Sequence, residues 1–335
     1  MSDKKKISLP FSIPIFSSFH NTAVAGMIFD NDPNARIQML NQSDHISCSK
    51  KFLSGYSSPE LGLPKTWLFS YPNIDIVEVN LKDSFREHRE IVRSMLEEGR
   101  YVYFGKIDDF YMPGKSWYGV RHMLHDGIIC GCDDETDTYS IAAYNEKWVF
   151  GLIKMPRDSF GNALEKSLSL GEPTLFGCKA LDTPIELDIE RILKGLRSYV
   201  TSDFTVYPTD RNLNGYASGS VVSDYIAIYI DKLLDGSIPY EKMDWRVLRI
   251  LWEFRVCMLE RIQAVEEDLC FSTASSEKYK EIVYKTNRLR LLYAICHQRR
   301  KDNILISIKE ELLTEARNEK EIINDLIKKM ENKYE

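Results

Sequence analysis

An α+β domain followed by a helical bundle is the architecture this sequence predicts. Three observations carry the prediction. Up to about residue 175, short runs rich in aromatic and β-branched residues alternate with stretches of helical periodicity. Residues 127–144 read as a β-hairpin, two apolar runs joined by the acidic turn "DDETD". From about residue 185 onward, apolar residues recur at helical spacing over long stretches. The implied domains are 1–180 and 185–335, and 335 residues are enough for each to bury a core.

The elements follow in order. "NTAVAGMIFD" (21–30) spaces small and apolar residues as a helix, with Asn21 as candidate N-cap. "PKTWLFSY" and "NIDIVEVN" suit short strands. "SFREHREIVRSMLEEGR" (84–100) opens on a serine that can cap, repeats Ile91, Val92 and Met95 at helical period, and ends by Gly99. "YVYFGKID" (101–108) is a strand; "KWVFGLIKM" adds another after the hairpin. In the second domain, Ile189, Ile192, Leu193 and Leu196 lie on one side of a helix, and 219–236 form a second. Residues 244–269 place Val247, Ile250, Leu251, Phe254 and Met258 along one stripe. Such a stripe needs cover, either within the chain or across a homodimer. Further helices are expected through "NRLRLLYAICHQ" and 306–330.

Composition sets limits on function. With 28% charged residues and a net charge of −6, the chain has no broad basic footprint, so nucleic acid is not an expected partner. No segment is long and apolar enough to span a bilayer, and no membrane partner is expected. "MSDKKKISLPFSIPIFSSF" sets lysines before apolar residues, but Pro10 and Pro14 interrupt it; it lacks the run of a signal peptide, and the cytoplasm is the expected compartment. Seven scattered cysteines do not make a disulfide framework. Cys130 and Cys132, two apart, are expected on one face of a strand, packing rather than binding zinc. His122 and His125 are three apart, with no further ligands to complete a metal set. "NGYASGS" (214–220) is no phosphate fingerprint and reads as a loop with a Ser/Gly helix start. Neither metal nor cofactor is expected.

The hairpin carries the chemistry. A histidine at the mouth of one strand and a polar residue at the end of the next can be held at fixed separation by the sheet. The polar group then accepts the hydrogen bond of one ring nitrogen and selects the tautomer. His125 is the candidate base and Asn145 the candidate orienter; Asp126, Asp133 and Asp134 are alternatives, the last two better suited to the turn. The bland counterpart is a polar strand-end histidine with a turn-forming asparagine. The aromatics of "KIDDFYMPGKSWYG", Tyr111 and Trp117 among them, either line a substrate groove or simply pack.

The stretch "EEGRYVYFGKIDDFYMPGKSWYGVRHMLHDGIICGCDDETDTYSIAAY" resembles the papain-like domain of the butirosin biosynthesis protein H family and is akin to double-glycine-leader peptidases. The family's histidine matches His125, its Gly–x–Asp falls on Gly131 and Asp133, and Asn145 lies nearest its orienter position. "DWRVLRILWEFRVCMLERI" resembles the helix that follows that domain. The likeness spans most of the chain, with the central segment its specific part. It implies a papain-like fold and acyl transfer or amide-bond processing in natural-product biosynthesis. It also implies an acyl- or peptidyl-carrier protein and a small-molecule amine or peptide-like substrate as partners.

The family's cysteine, at the start of the first helix, has no counterpart. That region reads "IPIFSSFHNTAVAGM", and the alignment sets His20 on the family's histidine and Asn21 on its cysteine. Three readings stay open. Ser17, Ser18 or Thr22 supplies a hydroxyl nucleophile, although each is as readily a helix cap. Alternatively, His20 and His125 form an acid–base pair without a covalent intermediate, with Asn21 beside the reacting carbonyl. Finally, catalysis is lost and the groove binds a partner. Cys48, in a segment read as a loop after His45, is a weaker nucleophile candidate.

Overall fold

A computed structural model describes residues 6–14, 20–42, 46–55, 58–62, 73–81, 85–169, 174–203 and 215–334. In chain order the elements begin with strand β1 (Lys6–Ser8), helices α1 (His20–Asn31) and α2 (Pro33–Gln42), and strands β2 (Ser47–Ser49), β3 (Leu61–Gly62) and β4 (Ile74–Asn80). Next come helix α3 (His88–Glu97), strands β5 (Tyr101–Asp108), β6 (Leu124–Asp133), β7 (Thr138–Tyr144) and β8 (Phe150–Pro156), helix α4 (Arg157–Ser167) and strand β9 (Thr174–Ala180). The rest is α5 (Ile189–Thr201), β10 (Tyr216–Ser218), α6 (Val222–Leu234), α7 (Val247–Asp268), α8 (Ala274–Gln298) and α9 (Asp302–Tyr334). The protein is α+β with a helical C-terminal bundle. Its contacts define two units, residues 1–36 with 66–185, and residues 37–65 with 186–335.

The first unit is built on an antiparallel sheet in the order β4-β9-β5-β6-β7-β8, with β1 added beside β6. Its main core lies between the sheet and helices α3 and α4. Val92, Met95 and Leu96 of α3 and Phe160 and Leu164 of α4 close over Val102, Phe104, Ile129, Ile141 and Met155. The expected strands at 73–80 and 101–108 and the hairpin at 127–144 all form, the latter two as neighbours in this one sheet. "PKTWLFSY" and Ser84 fall on or across residues outside those described. α1 opens at His20, which puts Asn21 in its first turn rather than before it.

Two bulges adjust the alternation. In β5 the register with β6 shifts between Phe104 and Ile107, and Lys106 takes a positive φ of 60°. Phe104 and Ile107, three apart, therefore both reach the core, where an unbroken strand would send them to opposite faces. In β6 the shift falls between Ile129 and Gly131. It separates the two cysteines that strict alternation would place together: Cys132 joins the core with Ile129 and Tyr139, whereas Cys130 does not. Glycine is required at two close approaches. A Cβ on Gly131 would stand 2.5 Å from the Ile7 carbonyl oxygen of β1, and one on Gly127 would stand 2.4 Å from the Phe104 ring.

The second unit combines the small antiparallel sheet β10-β2-β3 with helices α5–α9. The stripe Val247, Ile250, Leu251, Phe254 and Met258 is buried within this unit, against which α8 packs along α7 and α9 along α8. Inside the bundle lies a charged cluster. Arg255 Nη2 donates to Glu319 Oε2 at 2.6 Å and its Nη1 to Thr286 Oγ1 at 2.7 Å, while Tyr279 hydroxyl donates to Glu319 Oε1. Burial and the Glu319 charge push the Tyr279 phenol well above its ordinary range. No helix among the described residues is long and apolar enough to cross a membrane.

Candidate functional site

The site grows from the junction of β5 and β6. Because the two strands run antiparallel, the end of one lies beside the start of the other, with Ile107 opposite His125 and Asp108 opposite Leu124. After β5 the chain makes a short 3-10 turn over Asp109–Tyr111. Asp108 caps it, accepting the Phe110 N–H at 3.1 Å. The Asp109 N–H donates to the Met123 carbonyl at 2.9 Å, clamping the turn against the entry to β6.

Two consecutive aspartates thus each meet a histidine. Asp109 Oδ2 lies 2.5 Å from His125 Nδ1, and Asp108 Oδ2 lies 2.7 Å from His122 Nδ1. Both carboxylates are buried, at 2% and 0% side-chain exposure, so each accepts from a donor it cannot exchange for water. The histidines differ. His122 is 60% exposed and stacks on Phe110 with ring centroids 4.4 Å apart, whereas His125 is 34% exposed. Burial alone would raise the Asp108 carboxyl; the bonds from His122 and from the Phe110 and Met123 N–H groups outweigh it and hold it below the usual carboxylate range.

Behind Asp109 sits Lys115, also 2% exposed, its Nζ 3.4 Å from Asp109 Oδ1. Burial pushes this ammonium below the ordinary lysine range, while Asp109 and, after it, Asp126 pull the other way. On the opposite side of β6, Asp126 Oδ2 accepts from the Tyr103 hydroxyl at 2.8 Å. Burial, then the Asp126 charge, push that phenol far up, so it remains a donor.

Asn145, expected as the orienter, is engaged elsewhere. Its Oδ1 accepts the N–H groups of Lys147 and Val149, at 2.9 and 3.0 Å, and closes the turn between β7 and β8. The hydrogen bond at His125 Nδ1 goes to Asp109. A signal for it was present: an acid just past β5 and a histidine just inside β6 become neighbours once those strands pair. Tyr111 packs partly buried against the core beside Phe110. Trp117 meets Trp148 edge-on at 6.1 Å and carries Arg121 over its ring, and its Nε1 is buried with no hydrogen-bond partner among the described residues.

Ser17 and Ser18 lie outside the described residues, as do the side chains of His20, Asn21 and Thr22, whose backbone opens α1. Cys48 sits on β2 rather than in a loop, fully buried, its thiol pushed up to about 12 by burial against the opposing pull of Lys50. Burial likewise pushes Cys130 and Cys178 up to about 12. None of these three is poised as a thiolate. Among the described residues, no group of three or more histidine, cysteine or acidic side chains is placed to hold a metal ion. No protein-family model matches the chain, and the search of curated proteins returns no match.

Proposed function

We propose that the first unit is a papain-like domain in which His125 serves as an oriented general base for acyl transfer or amide-bond processing. The observation that carries this reading is the 2.5 Å contact between buried Asp109 and the Nδ1 of a half-exposed histidine. With Nδ1–H donated to the carboxylate, Nε2 keeps its lone pair and can take a proton from an attacking amine. The substrate class is an acyl group on a carrier-protein thioester or a small peptide-like acyl donor. The amine nitrogen attacks the thioester carbonyl, and His125 Nε2 removes its proton. The C–S bond then breaks, and the leaving thiolate recovers the proton from the imidazolium. Asp109 takes the orienter's place beside His125. Tyr111 and Trp117 border the same segment as candidate substrate contacts, with His20, Asn21 and Thr22 and, earlier in the sequence, Ser17 and Ser18 as further candidates around the reacting carbonyl. This is the activity that resemblance to the butirosin biosynthesis protein H family implies, in natural-product biosynthesis.

A second reading is a binding or assembly protein that docks a carrier or biosynthetic partner without chemistry. What favours it is the state of the thiols: Cys48, Cys130 and Cys178 are buried and pushed up, away from thiolate character. One experiment separates the two. Wild type, His125→Ala and Asp109→Asn are incubated with an acyl-carrier thioester and an amine, with product and intact protein mass followed together. Product from wild type alone supports the base. Equal product from all three removes His125 from the reaction, and carrier binding with no product from any favours the scaffold.

A further inference from the structure

We propose that Lys115 is the positioning residue of this site. Its buried ammonium neutralises the Asp109 oxygen turned away from His125, so that the pair holds its proton on Nδ1 and leaves Nε2 open. The proposal rests on the reading of His125 as a base and names what sets its working range.

The geometry is a line of three groups, Lys115 Nζ to Asp109 Oδ1 at 3.4 Å and Asp109 Oδ2 to His125 Nδ1 at 2.5 Å. The Oδ1 atom is buried and takes no hydrogen bond among the described residues. Lys115 therefore acts on it as a charge rather than as a close donor, and in so dry a setting a charge at that distance is strong. A carboxylate with one bare oxygen would otherwise either take up a proton or draw a full imidazolium onto its other oxygen. Either outcome removes the base: a protonated Asp109 no longer selects the tautomer, and an imidazolium has no lone pair. A cation at Lys115 balances the Asp109 charge and spares His125 that role.

The lysine's own loop is well anchored. The Lys115 N–H donates to the Met112 carbonyl, the Glu146 N–H to the Gly114 carbonyl, and Ser116 Oγ to the Asn145 carbonyl. The turn built by Asn145 thus braces the segment that delivers the cation. Other charged and titratable groups around the pair are already engaged: Asp108 with His122 at the 3-10 turn, and Asp126 on β6 with Tyr103 of β5.

The test needs no substrate. Nitrogen-resolved NMR of the imidazole of His125, assigned by its loss in His125→Gln, is followed against pH in the full chain of wild type, Lys115→Met and Lys115→Arg. In wild type at neutral pH the ring should be neutral with its proton on Nδ1. Removing the cation should move the titration midpoint of the Asp109–His125 pair up by about 1–3 units, and arginine should return it toward wild type. An unchanged midpoint in folded Lys115→Met would overturn the proposal while leaving the catalytic reading standing. Should the methionine variant not fold, the wild-type spectrum decides: an imidazolium at neutral pH, or an uncharged Lys115 by its Cε shift, overturns it. Absence of turnover by wild type on an acyl-carrier thioester, with the expected titration, would count against the catalytic reading alone.

Discussion

Asp109 and His125 are sixteen positions apart in sequence, yet one carboxylate oxygen and one imidazole nitrogen meet at 2.5 Å. The closure is made by two antiparallel strands, a three-residue turn and the backbone bond from Asp109 to Met123. Asp109→Asn keeps the shape but replaces an acceptor by an amide able to present a donor to Nδ1. Turnover on an acyl-carrier thioester should fall by about 10²–10⁴-fold, with binding of the carrier little changed. His122→Ala, at the neighbouring pair, should leave the rate near that of wild type. Steady-state kinetics on both variants check the contrast.

Asp108 makes the fold sensitive to acid. Its carboxyl titrates below the ordinary carboxylate range when folded, so its contribution is present above the unfolded value of about 4 and is lost as pH falls through the lower folded value. Asp108→Asn should therefore lower the Tm clearly at pH 7 and much less near pH 2. Thermal melts followed by circular dichroism at the two pH values measure the difference.

The bundle holds a buried charge pair whose removal is asymmetric. Glu319→Gln strands Arg255, and Arg255→Met strands Glu319; either should destabilise by about 3–5 kcal/mol. The double variant should cost less than the sum of the two, because it leaves no lone buried charge. Urea unfolding of the four proteins completes the cycle, and strict additivity would contradict the coupling.

Gly127 gives the fourth prediction. An added methyl would fall within 2.4 Å of the Phe104 ring, itself packed in the core. Gly127→Ala should cost about 1–3 kcal/mol by overpacking. Combined with Phe104→Leu it should cost less than the sum of the two single changes, read from the same urea curves.

The strands, the hairpin and the amphipathic helices were legible because their side chains alternate or recur with the period of the backbone. The stripe from Val247 to Met258 is buried as its spacing implies. What alternation could not reveal was its own interruption: the shift between Ile129 and Gly131 parts Cys130 from Cys132. The Asp109–His125 contact was hidden for a different reason. The hairpin drew His125 toward β7, whereas its partner comes from β5, across a loop whose path no local pattern encodes. α4 and β9 also escaped notice. "RDSFGNALEKS" carries its buried Phe160, Ala163 and Leu164 among polar neighbours, and "TLFGCKA" finds its partners only in β4 and β5.

The shift at Gly105 and Lys106 divides β5 into two stretches with different duties. The inner stretch, Val102 to Phe104, pairs with both neighbours and carries the core; the outer one, Ile107 and Asp108, feeds the acids of the site. Loss of a single codon at that step would remove the surplus residue and leave Ile107 two places from Phe104, still opposite His125 and still on the core face. The strand would then alternate plainly through to Asp108, with the acids of the site still delivered beside the start of β6.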